Sequence, residues 1–175
     1  MPAQIQERKL SRLFELLDSD GSGFVEESDL EDFAAKAIAA AGAGGSLEAR
    51  IVQREASSLW RALQHTLDSD GDQRVSRAEF VAAADVDAVT DGAIKLGVVI
   101  RDITDIDRDG LISLGEWVTL DAKLGIPRAD SEQGFKALDA DGDGYVSKPE
   151  YVRGVEQFFR SDDEASPGNW AFGKY

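Results

Sequence analysis

The sequence predicts an all-α fold in which two pairs of helix–loop–helix motifs pack compactly, with short β bridges between paired loops. Three observations predict it: an acidic pattern that occurs four times, apolar stripes at helical spacing around each occurrence, and a β-branched residue at one fixed place in every loop. A chain of 175 residues can bury a sufficient core without disulfide bonds, and this chain has no cysteine.

Apolar residues that recur every three or four positions indicate a helix on each side of the acidic segments. Ser46 is a candidate N-cap after the glycine-rich segment 41–46, and residues 125–127 are expected to end a later helix. In chain order the stripes are Leu10, Leu13, Phe14 and Leu17; Leu30, Phe33 and Ala37; Leu59, Leu63 and Leu67; Leu96, Val99, Ile100 and Ile103; Trp117, Leu120 and Leu124; Phe135 and Leu138; and Tyr151, Val155, Phe158 and Phe159.

The acidic pattern Asp-x-Asp-x-(Asp/Ser) opens four twelve-residue segments, which we call loops 1 to 4. They span residues 18–29, 68–79, 105–116 and 139–150. These loops contain 17 of the 34 acidic residues, so the acidity is local rather than spread over a solvated surface.

Charge and composition exclude several classes of protein. The 34 acidic residues against 19 basic ones give a net charge of −15, which argues against nucleic-acid binding and against docking on an anionic membrane. No apolar run approaches the ~20 residues of a membrane span. Without cysteine, and with His65 as the single histidine, neither a thiolate zinc site nor a histidine-based catalytic relay is expected, so we expect no enzyme.

A twelve-residue loop can supply the six to eight oxygen ligands of Ca²⁺ from its alternate positions. Positions 1, 3, 5 and 12 give side-chain oxygens, and position 7 gives its backbone carbonyl. The predicted ligands are Asp18, Asp20, Ser22, Phe24 and Asp29 in loop 1; Asp68, Asp70, Asp72, Arg74 and Glu79 in loop 2; Asp105, Asp107, Asp109, Leu111 and Glu116 in loop 3; and Asp139, Asp141, Asp143, Tyr145 and Glu150 in loop 4. The sequence thus predicts three or four Ca²⁺ sites.

Loops 3 and 4 meet every requirement, whereas loops 1 and 2 each depart at one position. In loop 1, Asp29 stands where Glu would give two oxygens, which favours competition by the smaller Mg²⁺. In loop 2, Gln73 stands at position 6, where the sharp turn favours glycine, and this weakens the site without abolishing it. Position 8, whose residues pair between loops, is β-branched throughout: Val25, Val75, Ile112 and Val146.

These loops are identified as EF-hands, and the whole chain resembles four-EF-hand proteins. The step of 50 residues between the first two loops, and the absence of a long central linker, most resemble the sarcoplasmic calcium-binding proteins and the calerythrin-like proteins of bacteria. The resemblance implies a compact fold of two EF-hand pairs packed face to face, usually acting as a calcium buffer. In that family the second loop is often degenerate.

The sequence leaves two functions open: a Ca²⁺ buffer or transporter, and a sensor that grips a protein target. Sensors expose methionine-rich grooves, and the one methionine here is Met1, which favours the buffer. The start of the chain lacks the apolar stretch of a signal peptide, and Pro2 stands where myristoylation requires glycine. We therefore expect a cytoplasmic protein, monomeric, with calcium ions as its partners and no protein target indicated.

We expect the chain to divide into an N-terminal pair at 1–88, a C-terminal pair at 89–159 and a tail at 160–175. The tail carries Trp170, Phe172 and Tyr175, and three aromatic residues are unusual for a disordered segment. Packing of these rings on the body is therefore the favoured interpretation, and a free tail that docks on a partner is the alternative.

Overall fold

The computed structural model describes residues 4–82 and 86–175, and the predicted all-α fold is confirmed. The helices and strands, in chain order, are α1 Gln4–Leu17, β1 Phe24–Val25, α2 Glu27–Ala40, α3 Leu47–Leu67, β2 Val75–Ser76, α4 Arg77–Val81, α5 Val86–Thr104, β3 Leu111–Ser113, α6 Leu114–Lys123, α7 Arg128–Leu138, β4 Tyr145–Ser147, α8 Lys148–Arg160 and a 3₁₀ helix Pro167–Trp170. Met1 and Pro2, on which the expectation about the start of the chain rests, lie outside the described residues.

The loops pair through two small antiparallel sheets. Val25 faces Val75 in the first sheet, and Ile112 faces Val146 in the second. Three of these four side chains have no exposed surface, and Ile112 is 2% exposed. The β-branched residues at position 8 therefore fill the space between paired loops, as the sequence predicts.

One continuous core connects the two halves of the chain. Leu10 and Phe14 of α1, Ile100 of α5 and Phe158 of α8 belong to a single cluster of buried apolar residues. A second, smaller cluster lies within the C-terminal half around Trp117. The predicted boundary at residue 88 falls in the first turn of α5, and the division of the chain into two pairs stays a prediction.

The C-terminal tail is held against α1 by a buried lysine. Lys9 has no exposed surface, and its Nζ donates to the Ser161 carbonyl at 2.6 Å and to Asn169 Oδ1 at 3.2 Å. Burial lowers the pKa of Lys9 to about 8, an effect that Asp162 partly opposes. Nearby, the Phe172 ring packs edge-on against Phe158 with 4.8 Å between centroids.

Two tail contacts leave no room for a side chain. The Gly168 N–H donates to Gln157 Oε1 at 3.0 Å, and a Cβ at Gly168 would collide with the Gly154 carbonyl and with Gln157. A Cβ at Gly134 of α7 would lie 2.9 Å from the Trp170 carbonyl oxygen. The tail thus sits directly on the backbones of α7 and α8.

No helix within residues 4–82 and 86–175 combines the length and the apolar character that a membrane crossing requires.

Candidate metal-binding loops

Each loop is folded around its first aspartate, which accepts a hydrogen bond from the N–H at position 6. The donor-to-acceptor distances are 3.0 Å from Gly23 to Asp18, 3.0 Å from Gln73 to Asp68, 2.8 Å from Gly110 to Asp105 and 3.1 Å from Gly144 to Asp139. The second oxygen of each aspartate accepts a further backbone N–H, from Ser22 to Asp18, from Gly71 to Asp68, from Asp109 to Asp105 and from Gly142 to Asp139.

Carboxylate oxygens converge in all four loops, with the atoms of each group within 4.8 Å of one another. The groups are Asp18, Asp20 and Asp29; Asp68, Asp70 and Asp72; Asp105, Asp107 and Glu116; and Asp139, Asp141 and Glu150. Among the described residues, these loops contain every such group of three or more metal-binding side chains. Hard oxygen donors at this spacing fit Ca²⁺ or Mg²⁺ rather than softer ions.

Loops 3 and 4 have matching arrangements at positions 1, 3 and 12. At position 5, Asp109 and Asp143 lie outside the converging groups of three, and each accepts the N–H two residues ahead, from Leu111 at 2.8 Å and from Tyr145 at 2.9 Å. Leu111 and Tyr145, the position-7 residues, are the first residues of β3 and of β4.

The carboxylate at position 12 also caps the helix that follows the loop. In loops 2, 3 and 4, a serine at position 9 is the N-cap, and its hydroxyl accepts from the N–H at position 12. The glutamate returns a hydrogen bond, with Glu116 Oε2 accepting from the Ser113 N–H at 2.9 Å and Glu150 Oε2 accepting from the Ser147 N–H at 2.8 Å. These Ser-x-x-Glu segments are capping boxes, a signal that is visible in the sequence but was not among the predicted features of the loops.

The other oxygen of each glutamate accepts the N–H at position 2 and so ties the two ends of the loop together. The distances are 2.9 Å for Ser69 to Glu79, 2.8 Å for Ile106 to Glu116 and 2.9 Å for Ala140 to Glu150. Hydrogen bonds from the Ser76 N–H and from Ser69 lower the pKa of Glu79 to about 2. Burial alone would raise the pKa of Glu150, but hydrogen bonds from Ser147 and from the backbone of Ala140 and Asp141 together outweigh it and lower the pKa.

In loop 1 the shorter Asp29 takes both roles of the glutamates, since it accepts the N–H at position 2 and the N–H of the helix N-cap. Asp29 is 4% exposed, and its Oδ1 accepts from the Ser19 N–H at 3.3 Å, a longer contact than the glutamates make. Glu26, not serine, is the N-cap of α2, and its N–H donates to Asp29 Oδ2 at 2.9 Å. Burial, with Asp20 and Asp18 nearby, raises the pKa of Asp29.

Loop 2 carries both a strained residue and a competing ion pair. Gln73 has a φ of 67°, the left-handed conformation that position 6 was expected to need. Arg74 Nη2 lies 2.8 Å from Asp72 Oδ2, and the Arg74 guanidinium stacks over Phe24 of loop 1 at 3.9 Å from the ring centroid. The role of the Arg74 carbonyl as a ligand stays a prediction, but the Arg74 side chain pairs with one oxygen of Asp72, which is itself a predicted ligand.

Two further residues were missed by sequence reasoning. Arg108, at position 4 of loop 3, has a φ of 60°, whereas the other three loops have glycine there at positive φ. Comparing position 4 across the loops could have found it. Arg101 of α5 is 5% exposed, and its Nη2 donates to the Gly110 carbonyl of loop 3. Because this contact joins a helix to a loop, no pattern in the neighbouring sequence indicates it.

Comparisons with known proteins agree with this geometry. The EF-hand domain pair family matches residues 7–84, and the EF hand family matches residues 132–155. The chain is 24% identical over 166 residues to calerythrin of Saccharopolyspora erythraea, covering 90% of this chain and 94% of calerythrin.

Solved structures extend the likeness. A calcium-binding protein of Streptomyces coelicolor, whose structure is described as the structural basis for prokaryotic calcium-mediated regulation by that protein, superposes with a TM-score of 0.79 at 30% identity, over 88% of this chain and 97% of that one. A sarcoplasmic calcium-binding protein from amphioxus superposes with a TM-score of 0.75 at 20% identity, over 98% of both chains. With four folded loops, converging carboxylates and these relatives, the chain belongs to the EF-hand family of calcium-binding proteins.

Proposed function

We propose that the protein is a cytoplasmic Ca²⁺ buffer or transporter that binds three or four ions, most tightly at loops 3 and 4. The observation that carries this proposal is the matched pair of carboxylate groups in those loops, joined by the sheet of β3 and β4. Each group unites positions 1, 3 and 12, and neither loop has the ion pair or the shortened carboxylate of the other two.

The distribution of apolar surface supports a buffer over a sensor. The large apolar residues that are well exposed among those described are Leu47, Ile106, Leu114 and Tyr145, and three of them belong to the metal loops themselves. The tail covers part of the backbones of α7 and α8 and so leaves that surface less exposed. A buffer needs no exposed groove, whereas a sensor presents one to its target.

A calorimetric Ca²⁺ titration with and without millimolar Mg²⁺ tests the number and selectivity of the sites. We expect two tight sites, with the heat of a weaker site suppressed by Mg²⁺ because loop 1 offers the shorter Asp29.

Glu150→Gln removes a charged ligand from loop 4 and should weaken that site roughly tenfold or more. Glu132→Gln removes an exposed carboxylate of α7 that lies outside the loops, so as the control it should leave the Ca²⁺ titration unchanged. If Glu116→Gln and Glu150→Gln both titrate like the unaltered protein, the assignment of the sites is wrong.

Calcium-dependent regulation of a protein target is the second candidate, because the Streptomyces coelicolor protein at 30% identity is described as acting in calcium-mediated regulation. The two functions differ in whether Ca²⁺ uncovers apolar surface. Fluorescence of the apolar dye ANS should stay low, or fall, when Ca²⁺ is added to a buffer. A rise in dye fluorescence on Ca²⁺ addition would favour the regulator.

A further inference from the structure

Arg74 is a positively charged residue inside a loop whose other features suit a cation. It occupies position 7 of loop 2, where the other three loops have Phe24, Leu111 and Tyr145, none of which carries a charge. Position 7 is predicted to contribute its backbone carbonyl to an ion, and any residue can supply that group. The side chain at this position is therefore not needed as a ligand, and in loop 2 it brings a positive charge.

Arg74 occupies both oxygens of Asp72, the carboxylate at position 5. The Arg74 N–H donates to Asp72 Oδ1 at 2.9 Å, while Nε and Nη2 donate to Oδ2 at 3.2 Å and 2.8 Å. In loops 3 and 4 the N–H at position 7 makes the corresponding bond to Asp109 and to Asp143, and within the described ranges nothing donates to the other oxygen of either aspartate. Asp72 also belongs to the group of converging carboxylates in loop 2. The guanidinium therefore holds an oxygen that an ion would use.

Phe24 of loop 1 holds the guanidinium in this position. Arg74 Cζ lies 3.9 Å from the centroid of the Phe24 ring, well within the range of a cation–π contact. The sheet of β1 and β2 brings the two side chains together, because Phe24 faces Ser76, two residues after Arg74. The side chains of Arg74 and Asp72 are 41% and 31% exposed, and an ion pair that is exposed to this degree is weak enough for a divalent cation to displace.

We infer that Arg74 is an internal counter-ion that Ca²⁺ must displace from Asp72, and that it sets the affinity of loop 2 below that of loops 3 and 4. This role rests on the Ca²⁺ binding proposed above. An ion that takes Asp72 first breaks the contact with Arg74, and it leaves the guanidinium close to a second positive charge, where the two repel. This cause of weak binding is separate from the strain at Gln73, which a substitution of Arg74 leaves in place.

NMR of the full chain in EDTA and in Ca²⁺ tests the displacement directly. The backbone amides of Gly71 and Gln73 report on ion binding in loop 2, and the Arg74 Nε–H reports on the contact with Asp72. In EDTA we expect this Nε–H to exchange with water about threefold more slowly than that of the exposed Arg153, because the ion pair protects it. The protection should disappear at the Ca²⁺ concentration that shifts the two amides. Equal exchange in EDTA, or protection that persists once loop 2 is filled, would overturn the inference.

Arg74→Met removes the guanidinium and keeps most of the length of the side chain. We expect it to tighten Ca²⁺ binding at loop 2 by about threefold to tenfold, read from the same amides. Arg77→Met is the matched control, since Arg77 is also in loop 2 but pairs with Glu15 at 3.1 Å. It removes the same charge and should change the affinity by less than about twofold, because solvent screens it. Equal gains in the two variants would mean that net charge, not the contact with Asp72, sets the affinity.

Phe24→Leu separates the stacking from the ion pair, because it removes the ring and keeps the backbone carbonyl. We expect a gain of about twofold at loop 2 from this change alone and no further gain when it is combined with Arg74→Met. Additive gains would show that Phe24 does not act through Arg74.

The same titration separates this role from the proposed function. If loop 2 binds no Ca²⁺ in the unaltered protein but does so in Arg74→Met, the inference is supported. If loop 2 binds none in either protein, Arg74 is not what limits the loop and the inference is wrong. The amides of loops 3 and 4 then show independently whether the protein binds Ca²⁺ as proposed.

Discussion

At the level of single residues, the four loops differ in their backbone conformation, because two of them have a non-glycine residue at positive φ. Gln73 and Arg108 are the non-glycine residues with positive φ in the described part of the chain. An L-residue in this conformation costs roughly 1 kcal/mol relative to glycine. Both residues lie inside metal loops, so each loop that contains one folds at a small expense of stability.

Gln73→Gly is expected to stabilise the protein by up to about 1 kcal/mol and to tighten Ca²⁺ binding at loop 2, because the turn no longer strains its backbone. Urea unfolding and Ca²⁺ calorimetry measure the two effects. Arg108→Gly should give a similar gain in loop 3. A Gln73→Gly protein that binds Ca²⁺ more weakly would contradict the prediction and would indicate that the glutamine side chain itself supports the loop.

Asp121 gives a pH-dependent prediction at the same scale. Burial raises its pKa to about 6, and Ser131 and Trp117 only partly counter the shift. Between about pH 4 and pH 6 the folded protein therefore holds a proton that the unfolded chain releases. The contribution of Asp121 to the free energy of unfolding falls as the pH rises through this interval, by about 3 kcal/mol at most.

Asp121→Asn should therefore be more stable than the unaltered protein at pH 7 and no more stable at pH 4. The difference between the two unfolding free energies, followed by urea titration across this interval, isolates Asp121 from the loop carboxylates. Glu156→Gln, at an exposed position of α8, is the control. A difference that stays constant from pH 4 to pH 7 would contradict the assigned shift.

Sequence reasoning was informative for the ligand types and for the left-handed turn at Gln73, because both follow from the local geometry of a twelve-residue loop. It could not anticipate that the Arg74 side chain pairs with Asp72, since both the rotamer and the stacking on Phe24 of another loop depend on the folded structure. Nor could it place Arg101 at the Gly110 carbonyl. The roles of individual ligands stay predictions until ions are titrated.

At the level of elements, the tail and α1 hold each other in place. Lys9 contributes its buried ammonium group to the end of α8 and to the 3₁₀ helix, and Gln6 Nε2 adds a hydrogen bond to the Ser161 carbonyl at 2.7 Å. The first and last parts of the described chain are thereby joined. This connection was not visible in the sequence, where Lys9 resembles a surface residue beside an apolar stripe.

Gly168→Ala is expected to destabilise the protein by about 2 kcal/mol or more, because the added methyl group meets the backbone of α8 rather than a flexible side chain. Gly44→Ala is a matched control, since a Cβ there meets nothing within 4 Å. Thermal unfolding compares the two variants. If both unfold at the same temperature, the tail does not contribute to the stability of the body.

Periodicity predicted most helices well because their stripes are long. α4 spans only Arg77–Val81, so it is too short to show a helical repeat, and no stripe was predicted there. α5 begins at Val86, before the boundary that we expected at residue 88. The apolar stripe predicted for this helix starts only at Leu96, so the sequence pattern did not indicate where the helix begins.

At the level of the whole molecule, we expect charge and metal content to determine stability together. The net charge is −15, and half of the acidic residues lie in the four loops. Each Ca²⁺ adds two positive charges, so four ions would bring the net charge to −7. Binding to the folded state alone also stabilises that state in proportion to the logarithm of the ion concentration.

Removal of metal with EDTA is expected to lower the melting temperature substantially, and added NaCl should restore part of it by screening the carboxylates. Calorimetric scans in Ca²⁺, in EDTA and in EDTA with NaCl measure this. A melting temperature that does not respond to EDTA would contradict Ca²⁺ binding by the folded chain.

The capping boxes are also expected to affect how quickly an ion is taken up. The hydrogen bonds that join Glu79, Glu116 and Glu150 to the N-caps of α4, α6 and α8 are made within the chain itself, so we expect the first turns of these helices to form whether or not an ion is bound. Nucleation of the first turn is the costly step of helix formation, and we expect the capping boxes to reduce that cost before an ion arrives. Ion capture then requires only that a carboxylate exchange N–H donors for the ion, so the rate of uptake is expected to be limited by loss of water from the ion rather than by refolding of the chain.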